Sequence, residues 1–203
     1  YLLTIFSITG ILLTIKNKKG PLEGLVILDL TRVLAGPYCT MVLSDLGARV
    51  IKIEPPHGDD SRNFGPFKFS ISTYFLSLNR GKESIKLNLK NKSDVNVFKK
   101  ILKNVDVLVE NFRPGTMEKF GLGYKSLSKS FPKLIYAACS GFGKTGPWSD
   151  KPAYDVIVQA LGGIMSVTGN EGDSPIRVGS SIGDITAGLF TVIGIQSAII
   201  NRR

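Results

Sequence analysis

A chain of 203 residues, 43% hydrophobic and 21% charged, is long enough to bury a sizeable core and too apolar to remain disordered. Its 26 Lys and Arg against 16 Asp and Glu give a net charge of +10, which suits an anionic partner; the lysines are scattered and not interleaved with aromatics, so nucleic acid is not expected. A single histidine, His57, excludes a multi-histidine metal site and any mechanism needing two imidazoles, while Cys39 and Cys139 lack ligand spacing and read as buried thiols of a reducing compartment.

Residues 1–15, YLLTIFSITGILLTI, are an apolar run without an initiator methionine. The run is shorter than the about 20 residues of a membrane span, and its positive charges follow it, the reverse of a secretory signal. Residues 1–19 are therefore set apart as an apolar leader, and no membrane partner is expected. From Gly20 the pattern becomes regular. LVILDL (25–30) predicts a strand buried on both faces. AGPYCTMVLSDLGA (35–48) predicts a helix with Ala35, Met41, Val42 and Leu46 on one side and Gly47 as its stop. RVIKIEPP (49–56) and ESIKLNL (83–89) predict strands, the first ended by prolines. SDVNVFKKILKN (93–104) predicts an amphipathic helix capped by Ser93, with Val97, Ile101 and Leu102 inward. Strands follow at 105–112 and 133–143, and helices at 154–169 and 184–203, the last apolar on nearly all sides.

Strands alternating with helices predict a doubly wound α/β domain with a mostly parallel, Rossmann-like sheet. Ligands in such sheets sit beyond the carboxyl ends of the strands. The turns 31–37, 54–60, 110–115 and 140–147 should therefore share one edge, and they carry arginine, lysine, glycine and carboxylates. There is no GxGxxG after the first strand, no GxxxxGK[ST] and no GxSxG, which argues against the usual dinucleotide loop, a P-loop and a nucleophile elbow. The closing apolar helix needs cover on every side, so residues 20–203 are expected to be the N-terminal part of a larger domain.

In SSIGDITAGLF (180–190) a lone carboxylate, Asp184, stands before a helical run. From the residues alone it reads as an N-cap, satisfying free backbone N–H groups, or as an ionised nucleophile favoured by the same positive helix end.

Five blocks in order carry a resemblance. They are 24–62 (GLVILDLTRVLAGPYCTMVLSDLGARVIKIEPPHGDDSR), 72–90 (STYFLSLNRGKESIKLNLK), 106–124 (DVLVENFRPGTMEKFGLGY), 141–169 (GFGKTGPWSDKPAYDVIVQALGGIMSVTG) and 179–190 (GSSIGDITAGLF). Together they resemble the class III CoA-transferases, the formyl-CoA and carnitine CoA-transferase type, and among these the mitochondrial members that move CoA between succinate and glutarate. The resemblance implies that Asp184 is the nucleophile, that Asp155 is a second carboxylate of the site, and that Tyr74 lies near the reacting acyl group. It places Arg32, Leu34, Asn88, Lys90, Asn111, Phe112, Arg113, Lys119 and Tyr154 at CoA-contacting positions, with Lys119 toward the nucleotide end. In formyl-CoA transferase the position of Leu34 is a glutamine, and a leucine cannot donate that hydrogen bond, which puts oxalate–formate specificity in doubt.

The implied function is transfer of CoA from an acyl-CoA such as succinyl-CoA to a carboxylic or dicarboxylic acid through an aspartyl anhydride. CoA thioester enters as substrate with no permanently bound cofactor and no metal, in an interlocked mitochondrial homodimer. Gly183 would leave room for the acyl group. Asp155 would steer a proton or carboxyl group, or cap the helix it begins. Two alternatives stand beside this. A 2-methylacyl-CoA racemase of the same fold would need a histidine where Tyr154, with a pKa of about 10, stands. A CoA-binding fragment without turnover is the other.

Overall fold

The structure, a computed structural model, describes residues 19–202. The expected leader at 1–19 lies outside the described residues except for Lys19. The core is a five-stranded sheet of order β5-β2-β1-β6-β7, every pair parallel. Its strands are β1 (Val26–Asp29), β2 (Arg49–Glu54), β5 (Glu83–Lys86), β6 (Val107–Glu110) and β7 (Ile135–Ala138). A two-residue hairpin, β3 (Phe67–Lys68) with β4 (Ile71–Ser72), stands apart from it. Strand order reverses between β1 and β6, so the crevice where α/β sheets bind ligands lies at the carboxyl ends of those two strands. The expected doubly wound α/β class is observed, and because all strands are parallel the four turns do share one edge.

Alternation along each strand feeds two cores. Ile27, Val107 and Val109 point to one face, where they meet Cys39 and Leu43 of α1 (Ala35–Asp45) and Val192, Ile195 and Ile199 of α7 (Ile182–Arg202). Leu28 and Leu108 point to the other, against Phe98 and Leu102 of α3 (Lys92–Leu102) and Met117, Leu122 and Leu127 around α4 (Thr116–Lys119) and α5 (Tyr124–Ser130). A backbone approach fixes the α1–α7 crossing: a Cβ on Gly188 would lie 2.7 Å from the carbonyl oxygen of Ala35. By length and composition alone α7 could cross a membrane; here one face of it is buried against α1 and the sheet.

Several expectations need correction. Helix α1 is covered on more than one side, so Cys39 and Leu43 are fully buried while Ala35, Val42 and Leu46 are only partly so. Gly47 does stop it, at φ +103. Helix α3 starts at Lys92 after Asn91, and Ser93 lies inside it with its hydroxyl on Asp94. The inward face carries Phe98 and Leu102 with Ile101 partly buried beside them, while Val97 is exposed. The expected 154–169 helix breaks at Gly162-Gly163, where Gly163 takes φ +79, into α6 (Asp155–Leu161) and a 3-10 turn at Ile164–Val167. Helix α2 (Thr73–Asn79), with Ser72 as its cap, was not anticipated. Cys39 is buried as expected, Cys139 only half-buried, and both are free thiols.

Candidate active site

The carboxyl ends of β1 and β2 turn charged side chains into the interior. Asp29 accepts from the Thr31 N–H (2.8 Å), the Thr31 and Thr40 hydroxyls (2.5 and 2.6 Å) and Lys82 Nζ (3.0 Å). Burial pushes its carboxyl up, but Lys82, Lys52 and the hydroxyls outweigh this and hold it at about 2. Burial drags the Lys82 ammonium down to about 8. Lys52 Nζ donates to the Thr31 carbonyl (2.7 Å) and lies 2.8 Å from Asp59 Oδ2. The other Asp59 oxygen accepts from the Ser61 N–H and hydroxyl and, at 3.4 Å, from the Val33 N–H. Buried charges of this kind fix geometry more than they add stability.

Here they fix the loop after β1. Val33 adopts φ +67, a conformation sterically costly for a β-branched residue and found mainly where the surroundings enforce it. Next to it the Arg32 N–H donates to Asn111 Oδ1 (2.9 Å) and Asn111 Nδ2 donates to the Arg32 carbonyl (2.8 Å). The two loops at the reversal point of the sheet are thus stitched together by one amide. Leu34 follows, half-buried, as the residue before α1.

Asp184 lies in the first turn of α7, which begins two residues earlier, so it is not the N-cap. Asp155, the first residue of α6, caps that turn from across the contact: its Oδ1 accepts from the Gly183 N–H (2.9 Å) and the Asp184 N–H (3.4 Å). It does not cap α6 itself, whose N-terminus has Tyr154 before it and no side-chain cap. Gly183 belongs to the same contact. A Cβ there would lie 3.0 Å from Asp155 Oδ1, so the glycine makes room for the capping carboxylate. Burial, and then the neighbouring Asp155 charge, push the Asp184 carboxyl above its ordinary range. Tyr74 of α2 faces the same place: burial raises its phenol first, then the charges of Asp184 and Asp59. Its ring meets Phe64 edge-on at 5.6 Å.

The remaining expected residues lie in separate places. Asn111, Phe112, Arg113 and Lys119 follow β6 on one edge; Arg113 and Lys119 are exposed, while Phe112 packs partly into the second core. Asn88 and Lys90 form a turn after β5, with the Lys90 N–H on Asn88 Oδ1 (3.2 Å) and the Asn88 N–H on Asp94 (2.7 Å). Arg32 is exposed and pairs with Asp60 at 3.1 Å. Tyr154 is 68% exposed.

Sequence reasoning missed the cavity beside α4 and α5. It measures about 640 Å³ and is lined by Glu118, Gly123, Tyr124, Tyr136 and Lys144, among others. That is the volume of a small-molecule pocket. Tyr124 and Tyr136 meet edge-on at 5.9 Å, and Lys144 Nζ stands 5.3 Å over the Tyr136 ring and 3.8 Å from Glu110. Burial pushes the carboxyl of Glu110 up. Lys144 sits in the glycine-rich turn after β7, where its charge among glycines was the available signal. Among the described residues no group of three or more His, Cys, Asp or Glu could hold a metal ion.

Fold and site together define a Rossmann-like α/β protein whose candidate chemistry centres on two carboxylates at adjoining helix starts. The chain belongs to CoA-transferase family III, whose family model matches residues 22–203. It is 54% identical over 186 residues to the acetyl-CoA:oxalate CoA-transferase of Acetobacter aceti, covering 91% of this chain and 48% of that protein. It is 48% identical over 188 residues to the succinyl-CoA:glutarate CoA-transferase of Mus musculus, covering 92% and 43%. A crystal structure of a CAIB/BAIF family protein from Brucella suis superposes with a TM-score of 0.88 at 42% identity, covering 91% of this chain and 50% of that one. The chain spans about half the length of these relatives.

Proposed function

We propose that the whole protein transfers CoA from an acyl-CoA donor to a carboxylic or dicarboxylic acid, with Asp184 as nucleophile. The observation that carries this is a half-buried carboxylate in the first turn of a long helix, beside the Tyr74 phenol at the ligand edge of the sheet. Asp184 attacks the donor thioester carbonyl and expels CoA thiolate, giving an aspartyl–acyl anhydride. The thiolate then attacks the aspartyl carbonyl, releasing the donor acid and leaving an aspartyl–CoA thioester. The acceptor carboxylate attacks that thioester, and the thiolate released attacks the acceptor carbonyl of the new anhydride, which frees Asp184. Tyr74 would donate a hydrogen bond to a substrate oxygen.

The exposed Arg113 and Lys119 would meet CoA phosphates, and the cavity beside Lys144 would take the nucleotide end. CoA thioester is thus substrate, with no resident cofactor. Succinyl-CoA as donor and glutarate or a similar diacid as acceptor are read from the relatives' names. A homodimer and a mitochondrial address belong to the same proposal; fractionation of cells and sedimentation test them. The racemase reading gains no support, because the residue before Asp155 is an exposed tyrosine with no imidazole.

The test is CoA exchange between succinyl-CoA and glutarate, run in deuterated water with Asp184→Ala beside the parent. Transfer lost in the variant, with no deuterium entering the α-carbon, is the expected result. Deuterium incorporation without transfer would replace this reading by the racemase.

A further inference from the structure

We propose that Gln159 is a positioning residue for the reaction at Asp184, holding the Asp155 carboxylate in the orientation that closes the first turn of α7. The proposal rests on Asp184 being the nucleophile.

Gln159 is 2% exposed, and both ends of its amide are engaged. Its Oε1 accepts from the Val178 N–H at 2.8 Å. Its Nε2 donates to Asp155 Oδ2 at 2.7 Å, one turn back along α6, and lies 3.4 Å from the Ser180 carbonyl. Asp155 Oδ1 then takes the N–H groups of Gly183 and Asp184. The result is a chain of hydrogen bonds running from the backbone of 178, through two side chains, to the backbone of 183 and 184.

Both ends of that chain are backbone N–H groups, which can only donate. The Val178 N–H therefore fixes the amide with its oxygen toward 178 and its NH2 toward Asp155. Asp155 accepts hydrogen bonds on both oxygens. Through Oδ1 it holds the backbone of the nucleophile itself, so a rotation of the Asp155 side chain would re-aim Asp184. The groups facing Asp184 are Asp155 from α6, Tyr74 from α2 and Cys139 after β7. Burial pushes the Tyr74 and Cys139 groups up and keeps them neutral, so Asp155 supplies the local negative charge.

Reversing the polarity of the chain tests this. Gln159→Glu sets carboxylate against carboxylate, and Asp155→Asn sets NH2 against NH2. The double variant restores every strong bond: the amide now at position 155 accepts from Gly183 and donates to the carboxylate now at position 159, which in turn accepts from Val178. Only the long contact to exposed Ser180 is lost. Each single variant is expected to lower kcat about 10- to 100-fold with little change in KM for acyl-CoA, as misaimed reacting groups do. The double variant should recover to within about fivefold of the parent. Its acidic limb of kcat against pH should move to lower pH, because the charge now sits one turn further from Asp184. Single variants that melt earlier but turn over normally would show a merely structural role and overturn the proposal. So would a double variant no better than the worse single one. Full transfer by Asp184→Ala would instead overturn the nucleophile reading, and this inference with it.

Discussion

The layer under the β1 loop and the ledge made by α6, the Ile164–Val167 turn and α7 are built on opposite terms. Under the β1 loop even the charges are buried: the Asp29, Lys82, Lys52 and Asp59 side chains are at most 1% exposed, and each meets an opposite charge. On the ledge even large apolar groups are open, Val167 at 83% and Phe190 at 68% exposed, with Leu161, Ile193 and Ile200 also uncovered. The first region is a self-contained clamp; the second leaves apolar side chains uncovered. Asp155 and Asp184 lie on the ledge, while Tyr74 and the Arg32–Leu34 loop are held by the clamp, so the candidate site forms where the two meet.

Variants separate the two regions, and the largest effect is expected in the clamp. Lys82→Met removes the ammonium and leaves Asp29 buried without its ion pair, which should cost about 3–5 kcal/mol in urea unfolding. On the ledge the sensitive point is its seam with α1. Gly188→Ala would press on the Ala35 carbonyl, and about 3 kcal/mol is expected because backbone must move.

Acid should reach the clamp next. Asp29 is held at about 2 when folded against an ordinary 3.8, so the stability it contributes is present above pH 3.8 and is lost as pH falls toward 2. Its share is about 2 kcal/mol, and the net worth of the pair is smaller because burial of Lys82 opposes it. Unfolding followed from pH 5 to 2 checks this. Asp184 titrates the other way. Its carboxyl is raised, so transfer should fail as pH drops, at a pH higher than an ordinary aspartate would require. The smallest effect on folding belongs to the open ledge: Phe190→Ser should change stability by about 0.5 kcal/mol or less yet weaken the proposed homodimer in sedimentation. A large loss of stability without any change in association would merge the two regions.

The central strands β1 and β6 were legible because buried parallel strands read as mostly apolar runs, as LVILDL and VDVLVENF do. Its ion pairs were not. Lys52 alternates along β2 like any strand residue, and nothing local says that its partner is Asp59 or that Lys82 reaches Asp29. On the ledge Asp184 was legible as a lone carboxylate before a helical run, whereas Asp155 came only with the family resemblance. The bond from Asp155 to the backbone of Gly183 and Asp184 joins residues far apart in sequence, and periodicity carries no such pairing. Gln159 was invisible for the same reason, since a glutamine within an apolar helix reads as its solvent face. The cavity wall of Tyr124, Tyr136 and Lys144 comes from three separate elements and forms only when they fold together.

The most direct test of the central claim is to incubate the whole protein with succinyl-CoA, quench with hydroxylamine and map the product by mass spectrometry. A hydroxamate on Asp184, absent from Asp184→Ala, is the predicted result. An unmodified Asp184 during full transfer, or a hydroxamate on another carboxylate, would contradict the account.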